Sequence, residues 1–335
     1  MSGKVMPASI AVLGAGSWGT ALAIQLARSG RRVALWGRES DDLSGMRERR
    51  ENLRYLPGCP FPDSLEIEPS LANALTSDEI LVVVPSHALR GLLRSIKALG
   101  VPPRRLAWAT KGFEPDTASL VHEVVAEEFG SIPMCVLSGP TFALEVGKGM
   151  PTAITAAGDA ALADFMADAL HGRQFRAYTS TDMIGVELGG SSKNVIAIGA
   201  GLSDGLGFGA NARVALITRG LAEIMRLGRV MGADMQTFLG LAGMGDLVLT
   251  CTDNQSRNRR MGLALAEGKS QDQAKREIGQ VVEGVSAARE VRRLAERHGV
   301  EMPIAESIYG VLFENLDARA AVESLFDRER KPEAV

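Results

Sequence analysis

Ser9-Ile-Ala-Val-Leu-Gly-Ala-Gly-Ser-Trp-Gly19 decides the fold of this chain. The apolar run Ile10 to Leu13 is of the kind that makes a strand buried on both faces of a parallel sheet. Gly14, Gly16 and Gly19 follow at once, and Thr20 to Arg28 reads as a helix that ends at Gly30. In such a strand–loop–helix unit each glycine has its own task. Gly14 permits the tight turn, Gly16 lets backbone approach a pyrophosphate, and Gly19 lets the helix pack on the strand. The helix N-terminus turns N–H donors and a positive dipole end towards that anion. A second strand, Arg32-Val-Ala-Leu-Trp36, completes a dinucleotide-binding unit at the expected distance.

What closes the second strand bears on the choice of dinucleotide. An acidic side chain there binds the ribose hydroxyls of NAD, whereas an arginine accommodates the 2′-phosphate of NADP. The chain has Gly37-Arg38 with Glu39 one step later. NADP(H) is favoured, with Arg38 on the phosphate, and Glu39 keeps NAD(H) open. The plainer alternative is a solvated loop arginine.

Alternation continues outward from this unit. Glu79 to Pro85, Arg105 to Thr110 and Pro133 to Ser138 read as further buried strands, separated by helical segments Ser86 to Leu99 and Thr117 to Phe129. Pro151 to Ala157 and Phe175 to Thr179 read as two last strands around a helix, Ala160 to Leu170. The pattern implies a doubly wound, Rossmann-type parallel sheet whose ligands lie beyond the carboxyl ends of its strands. Lys111 stands at one such end, placed to reach an anion or a carbonyl oxygen. An exposed loop lysine is the alternative. From Thr181 the strand signals stop, so residues 1–181 are expected to form the dinucleotide domain and residues 182–335 an all-α domain. The tail from Arg328 is expected to be disordered.

That helical domain opens with an unusual segment. Gly185 to Gly201 has almost no polar face, yet carries Lys193 at its centre. Its neighbours three and four residues away, Gly189, Gly190, Ile196 and Ala197, offer no counter-charge. A buried ammonium without a partner is costly, and burial lowers its pKa. Either the side chain snorkels to the surface or a partner comes from elsewhere. Asp246, between glycines and the apolar run Leu247 to Leu249, is a sensible counter-charge. Further on, Ser256 has the character of an N-cap for a helix from Arg257 to Glu267. Arg257, Arg259 and Arg260 would crowd its first turn, where the dipole disfavours cations unless an anion binds there. Arg259 and Arg260 are also readable as a solvated basic face.

Composition narrows the class. The formal net charge of −3 lacks the basic excess of a nucleic-acid binder. Cys59, Cys135 and Cys251 are scattered, without metal-ligand or disulfide spacing, which fits a reducing compartment. No uncharged apolar run reaches the roughly 18 residues of a membrane span, and the first apolar segment has no cleavage context. A cytoplasmic, metal-free protein is expected.

Taken in order, the motifs resemble the bacterial-type NAD(P)-dependent glycerol-3-phosphate dehydrogenases over nearly the whole chain, from about Ile10 to Leu325. The resemblance rests on Gly-Ala-Gly-Ser-Trp-Gly-Thr-Ala (14–21), Val-Val-Val-Pro-Ser-His (82–87), Ala-Thr-Lys-Gly (109–112) and Ser-Gly-Pro-Thr-Phe-Ala (138–143). It continues in Leu-Gly-Gly-Ser-Ser-Lys-Asn-Val-Ile-Ala-Ile (188–198), Gly-Asp-Leu-Val-Leu-Thr-Cys (245–251), Asn-Gln-Ser-Arg-Asn-Arg (254–259) and Gly-Gln-Val-Val-Glu-Gly (279–284). It implies interconversion of dihydroxyacetone phosphate and sn-glycerol 3-phosphate with NAD(P)H, supplying glycerophospholipid synthesis.

The resemblance also implies site residues. Gly14, Gly16, Ser17, Trp18, Gly19, Arg38 and Ala143 would contact the cofactor, and Val281 and Glu283 would close over it. Lys111 would serve cofactor, substrate and catalysis, and Gly139 and Thr141 would line the substrate site. Lys193 would be the catalytic lysine, with Asn194 beside it and Asp246 as its carboxylate partner. Ser256, Arg257 and Asn258 would hold the phosphate end, with Arg257 also within reach of the cofactor. Leu144 departs from the pattern, since relatives carry a basic residue there. The assembly stays open, with a homodimer as one option. Two rivals also stay open: a dehydrogenase of the same plan acting on a hydroxy acid, and a non-catalytic dinucleotide sensor.

Overall fold

The computed structural model describes residues 8–327, so the tail from Arg328 lies outside the described residues. The chain forms two compact units. One holds the residues up to Thr110 together with His122–Met183, and the other holds Lys111–Val121 together with the chain from Ile184.

The first unit is built on a sheet of eight strands: β1 (Ser9–Leu13), β2 (Arg32–Trp36), β3 (Leu65–Glu68), β4 (Glu79–Val82), β5 (Leu106–Trp108), β6 (Met134–Ser138), β7 (Thr152–Gly158) and β8 (Phe175–Ser180). Their order is β3-β2-β1-β4-β5-β6-β7-β8, and the first six are mutually parallel. The doubly wound Rossmann-type sheet expected from the alternation is present, with one departure. β7 runs antiparallel to β6, and β8 runs parallel to β7. Between β6 and β7 the chain forms only the short helix Ala143–Gly147 and no long crossover helix. β3 has no counterpart among the expected strands. Its short Leu-Glu-Ile-Glu alternation buries Leu65 and Ile67 against the sheet.

The order places β1 beside both β2 and β4, and the reversal of direction in sheet order falls there. The loop between β1 and the first helix, Ser17–Arg28, therefore sits at the sheet's switch point, where open α/β sheets bind ligands. The Gly14 N–H donates to the Trp36 carbonyl at 2.8 Å and pins that loop to the end of β2.

From Ile184 onward the described residues of the second unit form helices joined by loops, with no strand among them. Met183–Gly205 is buried on every side from Gly185 to Ser203, as its missing polar face foretells. The helix Arg257–Ala266 crosses it closely enough for backbone to meet backbone. A Cβ on Gly201 would overlap the Arg259 carbonyl, and one on Gly262 would overlap the Ile198 carbonyl. These two glycines allow the crossing that lays Asn258 against Asn194. Around them pack the helices Gly209–Met231, Glu283–His298 and Pro303–Phe313, sharing an apolar core that includes Leu188, Ile196, Ile224, Phe238 and Val291.

Candidate active site

In the first unit the glycine loop has the shape its sequence implies. Gly14 adopts φ +129°, and a Cβ there would strike the Val83 carbonyl. A Cβ on Gly19 would overlap the Gly14 carbonyl, so helix and turn touch directly. Gly16 is different: among the described residues, nothing lies within 4 Å of the space its Cβ would fill. It is also the N-cap of the first helix, with no side chain capping the turn. The buried Trp18 Nε1 finds no acceptor among the described residues. An open approach, an uncapped helix start and an orphaned indole N–H together fit a dinucleotide pyrophosphate.

Arg38 follows the end of β2 with its side chain 72% exposed and Nη2 3.6 Å from the Asp41 carboxylate. Asp41 is itself buried and accepts the Arg38 backbone N–H at 2.8 Å. The side chain of Glu39 lies outside the described residues. At the end of β6, Gly139 packs against the backbone of β7, and the Thr141 hydroxyl donates to the Gly139 carbonyl at 3.1 Å. Ala143 opens the short helix that follows, and Leu144 beside it is exposed.

The second unit gathers the charged residues. Asp246 begins the helix Asp246–Thr252 and is buried. The Lys193 ammonium donates to Asp246 Oδ1 and, at 2.8 Å, to Thr250 Oγ1. The Thr250 hydroxyl in turn donates to the Asp246 carbonyl at 2.6 Å, so its lone pairs face the lysine. Lys111 Nζ takes the other carboxylate oxygen, Oδ2, at 2.6 Å. Lys193 therefore does not snorkel; it is buried against a carboxylate that a second lysine shares.

Two ammonium groups on one buried carboxylate leave a net positive charge. Burial pushes the Lys193 pKa down, Asp246 pulls it up and Lys111 pushes it down again, leaving it at about 8. For Asp246, burial alone would raise the pKa, but Lys111 and Lys193 outweigh it and hold the carboxyl below its ordinary range. The turn that presents Lys111 is fixed from the Lys193 helix, where the Ser191 hydroxyl accepts the Gly112 N–H at 2.9 Å.

The Ser256 hydroxyl accepts the Arg259 N–H at 3.1 Å and caps the helix Arg257–Ala266. Arg257 is half-buried, with Nη1 donating to Gln280 Oε1 at 3.3 Å. Asn258 Nδ2 donates to Asn194 Oδ1 at 2.8 Å, while its own Oδ1 accepts the Gly284 N–H at 2.9 Å. Val281 is exposed and Glu283 begins the helix Glu283–His298. The alternative reading of Arg259 and Arg260 as a solvated basic face does not hold. Two residues on from Arg257 is roughly 200° around a helix, so Arg259 turns inward. There it is buried and donates to Asp204 Oδ2 at 2.6 Å, an atom it shares with Arg213. Arg260 is partly buried, with its Nε enclosed.

Comparison with known proteins agrees with this layout. Residues 9–163 match the family model for the NAD-dependent glycerol-3-phosphate dehydrogenase N-terminus, and residues 182–323 match that for its C-terminus. A relative from Pseudoalteromonas translucida, named glycerol-3-phosphate dehydrogenase (NAD(P)+), is 57% identical over 97% of this chain and 98% of its own length. The chain belongs to the NAD-dependent glycerol-3-phosphate dehydrogenase family. A second member, from Haemophilus ducreyi and of the same name, is 58% identical over 97% of this chain and 98% of its own. The crystal structure of glycerol-3-phosphate dehydrogenase from Coxiella burnetii superposes with a TM-score of 0.92 at 48% identity, covering 96% of this chain and all of that one.

Within this family member, three contributors are not singled out by the sequence. Thr250 sits in one of the motifs, and its place four residues after Asp246, on the same face of a helix, is the signal that points to it. Ser191 stands two residues before Lys193 and has the look of a small packing residue. Gln280 reaches Arg257 from a loop that no periodicity connects to it.

Proposed function

We propose that this chain is an NAD(P)-dependent oxidoreductase that interconverts dihydroxyacetone phosphate and sn-glycerol 3-phosphate. The observation that carries the assignment is the buried Lys193–Asp246–Lys111 cluster, in a chain of this family. When bound, the reduced nicotinamide supplies a hydride to the substrate carbonyl carbon. The carbonyl oxygen then becomes an alkoxide, and Lys193 as ammonium donates its proton there. In the reverse direction the neutral amine accepts the hydroxyl proton. A lysine at about 8 serves both directions near neutrality. Asp246 and Thr250 hold the ammonium in place, and the surplus positive charge of the cluster favours both the developing alkoxide and an anionic substrate. The glycine loop with Ser17 and Trp18 holds the pyrophosphate, Ser256 and Arg257 hold the substrate phosphate, and Asn194 lies in the substrate site beside Lys193. On this assignment the enzyme works in the cytoplasm and its product is the phosphorylated backbone of glycerophospholipids.

Loss of NADPH or NADH absorbance on addition of dihydroxyacetone phosphate tests the activity. Consumption of neither cofactor with this substrate, alongside turnover of a hydroxy-acid or keto-acid partner, would overturn it. The same assay tests Arg38, whose exposed guanidinium at the end of β2 we assign to the 2′-phosphate of NADPH. kcat/KM is then higher with NADPH than with NADH. Arg38→Ala lowers it for NADPH by about tenfold or more, the weight of a charge-assisted contact, and leaves NADH nearly unaffected. Equal losses with both cofactors would take Arg38 off the phosphate.

A further inference from the structure

Asn194 and Asn258 form a hydrogen-bonded pair whose direction is dictated from outside. A peptide N–H can only donate, so the Gly284 N–H at 2.9 Å compels Asn258 to turn its oxygen that way. The Asn258 amide nitrogen must then face Asn194, at 2.8 Å. Asn194, receiving a donor, must answer with its oxygen. Its own NH2 is the end that remains to face a ligand. Both side chains are buried, where each amide has strong reason to keep its partners.

The position of Gly284 makes this chain of bonds exacting. It is the second residue of the helix Glu283–His298, next to the loop that carries Val281. A Cβ at 284 would lie 2.6 Å from the Asn194 carbonyl oxygen and 2.8 Å from Asn258 Oδ1. Only glycine brings the N–H this close to both residues.

We infer that Asn258 is a positioning residue that acts through Asn194: the Gly284 N–H fixes the polarity of Asn258, which fixes Asn194 with its amide donor turned to the substrate. The inference rests on the assignment of Asn194 to the substrate site in the proposed dehydrogenase. It gives Asn258 a different task from direct grip on the phosphate. It also ties the loop 279–282 to the substrate amide, since withdrawal of Gly284 frees Asn258 to turn and Asn194 with it.

A double-mutant cycle on the full chain tests this, with kcat/KM and KM for dihydroxyacetone phosphate, KM for the reduced cofactor and the thermal midpoint as readouts. Asn258→Ala is expected to lower kcat/KM about tenfold, the order of a lost hydrogen bond to substrate, chiefly through KM for dihydroxyacetone phosphate. KM for the cofactor stays unchanged. In an Asn194→Ala background the same change costs less than about twofold, because residues acting through one contact do not add. Full, multiplicative losses would show Asn258 acting on its own and overturn the inference. If Asn194→Ala leaves kcat/KM and KM intact, the substrate role of Asn194 fails first and takes the inference with it. Should the alanine at 258 unfold the chain, Asn258→Leu keeps the volume and allows the same cycle, in which non-additive losses support the inference and multiplicative losses overturn it.

Discussion

Alanine at position 193 is expected to lower kcat for dihydroxyacetone phosphate reduction by at least about 10²-fold, the usual cost of losing general acid–base catalysis. KM for the cofactor stays near its original value, since the glycine loop and Arg38 belong to the other unit. The pH profile of the unmodified enzyme carries the same information with a definite sign. Reduction needs Lys193 as ammonium, so its rate falls as pH rises through about 8. Oxidation of glycerol 3-phosphate needs the neutral amine, so its rate rises through the same region. Asp246→Asn removes the group that pulls the Lys193 pKa up, and the reduction limb then shifts to lower pH. Near-normal kcat in Lys193→Ala would make Lys193 a structural cation and pass the proton to Lys111, which holds the other Asp246 oxygen at 2.6 Å.

The second large effect is expected at Arg257. Arg257→Ala should raise KM for dihydroxyacetone phosphate by about tenfold to a hundredfold, the range of a hydrogen bond to a charged group. kcat falls as well if phosphate binding helps position C2. Arg257→Lys restores part of the loss, since a point charge does not reproduce a guanidinium fork. The decisive comparison is dihydroxyacetone phosphate against dihydroxyacetone. The unmodified enzyme strongly prefers the ester, and Arg257→Ala erases much of that preference. A preference that survives would move the phosphate to another cation. Arg259 makes a poor control for this experiment. Its guanidinium is buried on Asp204, so Arg259→Ala strands a buried carboxylate with Arg213 alone and destabilises the fold. Arg260→Ala is the gentler comparison.

Much of this architecture is legible in the sequence because it follows local rules. The βαβ unit announces itself by apolar run, glycine spacing and helix in succession, and the Lys193 helix by its lack of any polar face. The Ser256 cap follows from the residue type and the helix behind it. What stays hidden depends on distances between segments remote in sequence. Nothing in Leu65-Glu-Ile-Glu68 says that four residues will become an edge strand beside β2. The reversal of β7 goes with a connection after β6 that forms one short helix and no long crossover, and no pattern within the strand records it. Asp246 can be nominated as the lysine's partner because a buried cation demands an anion, but that Lys111 shares the carboxylate is a fact of three dimensions. Arg259 misleads for the same reason: an arginine beside two others looks solvated until the helix turns it towards Asp204.

The complete burial of the helix from Gly185 to Ser203 has a consequence for motion. Its amide protons are shielded along the whole run, so no fraying of an exposed face lets solvent reach them. They can exchange only when the helical unit as a whole comes apart. Lys193, to which we assign the proton transfer, is thus mounted on the least yielding part of that unit. Val281, by contrast, is exposed on a loop, where local opening is cheap. On the proposed assignment, loosening that admits a ligand falls to such loops, while the proton donor keeps its place from one turnover to the next.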